Sequence, residues 1–344
     1  MNVQRASSLT NACLMLEQTI EQTLSNSFTV APGVWGRKDT FVNYYIIQDQ
    51  TSRSWALVDA GLKWSASAIR KMAKEIFGEG SRPSAIILTH GHFDHVGAVR
   101  SLAEEWGVPV YAHELELPYL TGKSSYPPPD PSVGGGMMAS VSFLYPRGPI
   151  NLGNDIQKLP SDNTIPGFPE WKFIHTPGHT PGHISLFRES DKVLIAGDAF
   201  VTTKAESAIY ALTHMNHLSG PPKYFTCNWA SAKLSVIKLA ALDPDTIATG
   251  HGKPMRGEEM RLELNNLSRH FDRLAVPAHG RYVNEPAVTN ENGVIHVPPA
   301  KEKVPMLVKS LGVSLALLSI GWLVYSQVKR MRETNNLKRV LKLQ

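Results

Sequence analysis

The sequence predicts an α/β fold in which short buried strands alternate with amphipathic helices and end in polar side chains. Brief apolar runs recur at Ala85 to Leu88, Trp171 to Ile174, Val193 to Ala196 and Thr246 to Ala248. They are too short for helices and are bounded by Gly, Pro, Thr or His, so they read as buried strands. Between the first two lies Asp94 to Trp106, which has the 3.6-residue apolar period and opens on an acidic residue, as helices do. The apolar runs also give way repeatedly to Gly, His and Asp. Strands and helices that alternate in this way stack as layers, each covering an apolar face of the next.

The first strand end is Thr89-His90-Gly91-His92-Phe93-Asp94-His95. His90 and His92 are two apart and project to one side of extended backbone, while Asp94 and His95, on the first helical turn, point back into the same hollow. Gly91 lets the chain bend between them. Neutral imidazoles with a carboxylate suit zinc or non-haem iron, and no thiolate is present for a closed structural zinc site. A metal-free surface run of histidines is the plainer reading. It is disfavoured because histidine is uncommon and unpaired charge is normally spread out.

Later strand ends supply further groups. Thr176-Pro177-Gly178-His179-Thr180-Pro181-Gly182-His183 follows the second run, Gly197-Asp198 ends the third, and Gly250-His251 ends the fourth. Each alone is a weak signal. Together His90, His92, Asp94, His95, His179, Asp198 and His251 make seven groups, enough for two metal ions. His183, His214 and His217 read equally well as ordinary hydrogen-bonded histidines.

With this set the chain resembles the metallo-β-lactamase superfamily, whose His-x-His-x-Asp-His motif is followed by a later His, a later Asp and a last His. The resemblance covers roughly residues 28 to 280. It implies an αββα sandwich with the metals at one edge. It places one metal on His90, His92 and His179 and the second on Asp94, His95 and His251, with Asp198 bridging. Asp59, in Leu57-Val58-Asp59-Ala60-Gly61, matches a further family motif and is expected as a supporting carboxylate, not a ligand.

The chemistry expected of such a centre is hydrolysis. An open position on zinc lowers the pKa of bound water to about 7, so hydroxide is available to attack a carbonyl polarised by the metal. Asp94 is the expected catalytic residue, placed to orient that hydroxide or receive its proton. The Thr-Pro-Gly-His repeat and the Gly-Asp pair resemble the branch containing glyoxalase II thioesterases and acyl-homoserine lactonases. The expectation is therefore a binuclear zinc hydrolase, with iron or manganese as alternative ions, acting on a small ester, thioester or lactone. Those lactonases carry a Tyr three residues after the bridging Asp, where this chain has Val201. Two rivals remain. One is a persulfide dioxygenase-like oxygenase with a single iron on His90, His179 and Asp198. The other is a membrane-tethered, non-catalytic metal-binding protein, disfavoured because seven polar groups in a metal-free hollow would cost desolvation without return.

The ligand groups span most of the 344 residues and cannot be split between independent domains. We expect an N-terminal extension at 1–27, a catalytic domain at 28–300 and a basic tail at 301–344. Cys13 and Cys227 are the only cysteines, so no disulfide framework exists. The net charge of +5 comes from the tail, which alone carries +7 and leaves the catalytic part at −2. No basic groove for nucleic acid is evident, and the expected partner is a small-molecule substrate.

Residues 120–170 are rich in Pro and Gly and read equally as a lid over the metal edge or as a surface excursion packed by its own aromatics. Residues 200–228 carry Lys204 and Tyr210, which the resemblance implies as substrate contacts. Within the tail, Ser310 to Val328 is uncharged, apolar and edged by Trp322, Tyr325, Lys329 and Arg330, as a membrane helix would be, the alternative being a helix packed on a partner or on the catalytic domain. The N-terminus shows no comparable apolar run. The catalytic domain is thus expected on the cytoplasmic side, held at the membrane through its C-terminal end.

Overall fold

The computed structural model describes residues 26–153, 155–207 and 217–300. The expected membrane helix at 310–328, Tyr210, His214 and nearly all of the N-terminal extension lie outside the described residues. Among the described residues, no helix is long and apolar enough to cross a membrane.

Seven strands form the first sheet in chain order: β1 (Ser27–Ala31), β2 (Val34–Asp39), β3 (Val42–Gln48), β4 (Trp55–Val58), β5 (Ala85–Ile87), β6 (Val110–Ala112) and β7 (Ile156–Lys158). Pairing is antiparallel from β1 to β4 and parallel from β4 to β7. The second sheet contains β8 (Trp171–His175), β9 (Ile184–Arg188), β10 (Val193–Ile195), β11 (Thr246–Ala248) and β12 (Met255–Arg256), in the order β12-β11-β10-β9-β8. A hairpin of β13 (Val288–Asn290) and β14 (Gly293–His296) stands apart.

Alternation along the strands sorts side chains into layers. Tyr45 and Ile47 of β3 and Val58 of β4 face the other sheet, where they meet Trp171, Phe173, Ile184, Leu186 and Ile195. Their neighbours Tyr44, Ile46 and Leu57 face outward onto α1 (Ala66–Phe77) and α2 (Val99–Trp106). α1 offers Ile69, Met72 and Ala73, and α2 offers Val99, Leu102, Ala103 and Trp106, one apolar stripe each at helical spacing. On the far side, Leu194 of β10 and Ile247 of β11 pack under α3 (Trp229–Ala240) and α4 (Gly257–Arg269) through Val236, Leu239, Met260 and Leu264. The order of layers is helices, sheet, sheet, helices, which is the expected αββα sandwich.

Two sequence expectations change. The helix expected from Asp94 begins only at Val99. The intervening backbone forms turns in which His95 N and Val96 N both donate to His92 O, and Gly97 packs so tightly that a Cβ there would lie 2.3 Å from Leu62 C and Lys63 N. Tertiary contact overrides the helical period at those residues. The 120–170 segment is likewise not a lid throughout. Its second half supplies edge strand β7, with Leu159, Ile165 and Phe168 buried between the sheets. Only its first half, up to about Tyr145, approaches the strand ends that carry the polar cluster.

Candidate metal centre

The seven polar groups picked out in the sequence converge at one edge of the sandwich. His90, His92, Asp94 and His95 leave the end of β5, His179 lies in the loop between β8 and β9, Asp198 follows β10, and His251 follows β11. All seven are buried. Their ligand atoms gather within 4.8 Å of one another in three overlapping sets: His90, His92 and His179; His90, His95 and Asp198; and Asp94, His95 and His251. Asp198 stands between the halves. Its Oδ2 is 3.1 Å from His251 Nε2, 3.5 Å from His179 Nε2 and 3.7 Å from His95 Nε2.

Four of the five rings are held at their outer edge by a neighbour. Nδ1 of His90 meets Thr89 Oγ1 at 3.1 Å, that of His95 meets Asp59 Oδ2 at 2.8 Å, that of His179 meets Thr226 Oγ1 at 3.3 Å and that of His251 meets Phe41 O at 2.8 Å. These four rings therefore turn Nε2 inward. His92 is reversed and presents Nδ1, 3.0 Å from His179 Nε2. Inside the cluster, His90 Nε2, His95 Nε2 and Asp198 Oδ1 are buried with no hydrogen-bond partner. Buried polar atoms are rarely left unpaired, and oriented imidazoles with a central carboxylate are a donor set that suits a metal ion. The residues fit the group the sequence implied.

The electrostatics match. Burial, aided by neighbouring imidazoles, holds His90 and His92 well below the usual histidine range and His179 at about 4, which keeps these rings neutral as ligands must be. Burial works against charge on His95 and His251 too, yet Asp198, with Asp59 and Asp94 beside His95 and with Asp94 beside His251, raises both. Burial opposes the Asp198 carboxylate, but His251 and His95 hold it well below its ordinary value. Asp94 is pushed up, by burial first.

Asp59 adopts a left-handed φ of 59° and accepts from Thr89 N and Thr89 Oγ1, both at 2.8 Å, as well as meeting His95. His183 uses both ring nitrogens. Nδ1 meets Thr176 Oγ1 at 2.8 Å, and Nε2 accepts the Asp198 backbone N–H at 2.9 Å, so this ring holds Asp198 in place. Val201 is fully buried. The phenols whose acidity Asp94 suppresses belong instead to Tyr145, raised by burial and then by that charge, and Tyr224, raised by burial, then by Tyr145 and then by that charge. They stand with Phe93, Met138 and Phe225 in an aromatic wall, and Phe225 stacks on His92 at 4.4 Å. Lys204 is exposed and near His217, whose pKa is lowered by burial and then by the lysine charge.

Sequence reasoning missed Glu116, a fully buried carboxylate between the loops that carry His90, His92 and His179. Nothing in Glu114-Leu115-Glu116 distinguishes it from an acidic helix start. It also left the purpose of His183 open, because only the fold brings that ring to Asp198.

Comparison with known proteins agrees. A profile described as Metallo-beta-lactamase superfamily matches residues 37–251. The chain is 47% identical over 242 residues to the probable metallo-hydrolase YflN of Bacillus subtilis (strain 168), covering 70% of this chain and 92% of that one. A second Bacillus subtilis (strain 168) relative, the probable metallo-hydrolase YybB, is 32% identical over 216 residues, covering 63% of this chain and 83% of its own. A solved beta-lactamase domain protein from Burkholderia ambifaria overlaps 72% of this chain and 76% of its own at 23% identity, with a TM-score of 0.48. The matching profile and the near-complete coverage of YflN make this chain a member of the metallo-β-lactamase superfamily.

Proposed function

We propose that the chain is a hydrolase whose site holds two zinc ions, one on His90, His92 and His179 and one on Asp94, His95 and His251, with Asp198 shared, and that it cleaves a small ester, thioester or lactone. The observation that carries this reading is the set of orphaned inward atoms, His90 Nε2, His95 Nε2 and Asp198 Oδ1, beside rings whose outer nitrogens are already engaged. The naming of two relatives as probable metallo-hydrolases supports the reaction class.

Ions held here by the two triads would lower the pKa of bound water to about 7 and polarise the carbonyl to be attacked. The chain does the rest. Asp94 belongs to the second triad, where its carboxylate would orient the attacking water and take its proton. Asp198 keeps its negative charge between the two halves because His251 and His95 face it. Tyr145 and Tyr224 stay protonated near Asp94, so their hydroxyls act as donors toward a substrate oxygen, which replaces the phenol absent at Val201. The aromatic wall seats the apolar part of the substrate and excludes water. The uncharged stretch Ser310 to Val328 supports attachment to a membrane.

Elemental analysis of the protein purified without chelators or added metal tests the reading. About two zinc ions per chain, with turnover on a thioester and lactone panel that His92→Ala and Asp198→Ala abolish, is the expected result. One iron per chain with oxygen uptake would replace it with an oxygenase.

A further inference from the structure

Glu116 sits just beyond β6, the strand that precedes it in the first sheet, and its carboxylate is fully buried. Both oxygens are saturated. Oε1 accepts from Thr180 Oγ1 at 2.7 Å and from Gly182 N at 2.8 Å. Oε2 accepts from Gly91 N at 3.0 Å and from the Tyr126 hydroxyl, which itself accepts from Gly91 N at 2.9 Å. Gly91 is the residue between His90 and His92, and Thr180 is the residue after His179. The carboxylate thus joins the two loops that carry one triad, across sequence separations of 25 and 66 residues. Tyr126 extends the link, since its ring lies 4.7 Å from His92 and stacks on Tyr119 at 3.9 Å.

The other triad is held differently. His95 rests on Asp59 and His251 on Phe41 O; of the four donors to Glu116 only Gly91 shares a loop with that triad, the one that goes on to Asp94 and His95, and none belongs to the loops that carry His251 or Asp198.

We propose that Glu116 is the positioning residue of the three-histidine half of the centre, setting the spacing of His90, His92 and His179 for one metal ion by tying the His179 loop to the turn between His90 and His92. This rests on the two-metal reading above. The chemistry of the four contacts makes Glu116 hard to replace. All four partners are donors, and an ionised carboxylate offers acceptors on both oxygens, whereas a glutamine amide would turn a donor NH2 toward one pair of them. Unpaired, those groups would push the loops apart and loosen the triad. Neighbours that orient metal-binding rings are typically worth 10–100-fold in metal affinity.

The test compares wild type, Glu116→Gln and Asp59→Asn in the full chain, stripped of metal and titrated with zinc against a chromophoric chelator. Crystals grown at sub-saturating zinc then locate the ion by anomalous scattering at the zinc edge. Glu116→Gln is expected to weaken zinc at His90, His92 and His179 by about 10–100-fold and leave the other position filled; Asp59→Asn, whose carboxylate meets both His95 and the Thr89 that holds His90, is expected to weaken both positions. Equal weakening at both positions by Glu116→Gln, or affinities equal to wild type, would overturn the proposal. If circular dichroism shows that Glu116→Gln does not fold, Tyr126→Phe carries the test, with the same site preference expected and the same two outcomes against it. A wild-type chain that binds fewer than two ions sinks the two-metal reading and this inference together. Two ions in wild type with an unselective Glu116→Gln sink only the role of Glu116.

Discussion

Gly250 has no room for a methyl group, because a Cβ there would lie 2.0 Å from Asp198 Oδ1 and 2.8 Å from His95 Cε1. Gly250→Ala is therefore expected to displace Asp198 and lower zinc affinity, read by chelator competition, while the fold survives by circular dichroism. An alanine protein with wild-type affinity would mean that Asp198 does not hold the central position. His183→Ala acts on the same carboxylate from behind. It leaves the buried Asp198 N–H without its acceptor, a loss of about 1–3 kcal/mol, so the melting temperature falls. Because Asp198 lies between both triads, zinc binding should weaken in both halves, unlike the selective effect expected at Glu116. Residues of this kind are invisible in the chain itself. His183 stands in a Thr-Pro-Gly-His repeat beside His179, and the two histidines look alike until the fold turns one ring into the cluster and the other onto a backbone N–H.

At the scale of the element, apolar spacing was legible where one strand or helix faces one layer. The apolar run that opens at Thr246 forms β11, and the stripe of Val99, Leu102, Ala103 and Trp106 is helical as the spacing required. Leu102 is fully buried against the first sheet, so Leu102→Ala is expected to cost about 2–5 kcal/mol, measured by chemical denaturation. The start of that helix was misplaced because Gly97 packs against the Leu62–Lys63 backbone, a contact that periodicity does not contain. Away from the centre, His113 caps the turn at Leu115 and stacks on His175 at 4.0 Å. Burial, then the His175 charge, lowers His113 from its ordinary 6.5 to about 4. The folded state thus prefers the neutral ring, and its contribution is present above the unfolded value and is lost as pH falls from about 6.5 toward 4. His113→Asn, which keeps a capping oxygen, should show a shallower fall of melting temperature over that window. Parallel curves for the two proteins would discard the assignment.

For the whole molecule, the two sheets meet at the polar edge through long-range bonds. Asn43 donates from β3 to Thr249 O at 2.9 Å and Gly252 O at 2.6 Å, and Tyr45 donates to Thr249 O at 2.6 Å. These contacts fix the His251 loop of the second sheet against the first. Ions bound at that seam would bind the native state alone and stabilise it by mass action, by about 4 kcal/mol at a thousand times the dissociation constant. Chelation is expected to lower the melting temperature markedly, with recovery on adding zinc. A melting temperature indifferent to chelator would show that the seam holds no tight metal in the purified protein.

The sequence by itself determined the layered α/β class and the seven polar groups, because both are local signals: apolar runs of strand length that end in Gly, His or Asp need no knowledge of the rest of the chain. Tertiary structure alone decided which ring atom each histidine turns inward, the reversal of His92, the use of His183 to hold Asp198, and the Glu116 link between two ligand loops. It also divided the 120–170 segment between an edge strand and an aromatic wall. These features depend on burial and on hydrogen bonds between residues far apart in the chain, and they exist only once the two sheets have closed on each other and removed water from the polar edge.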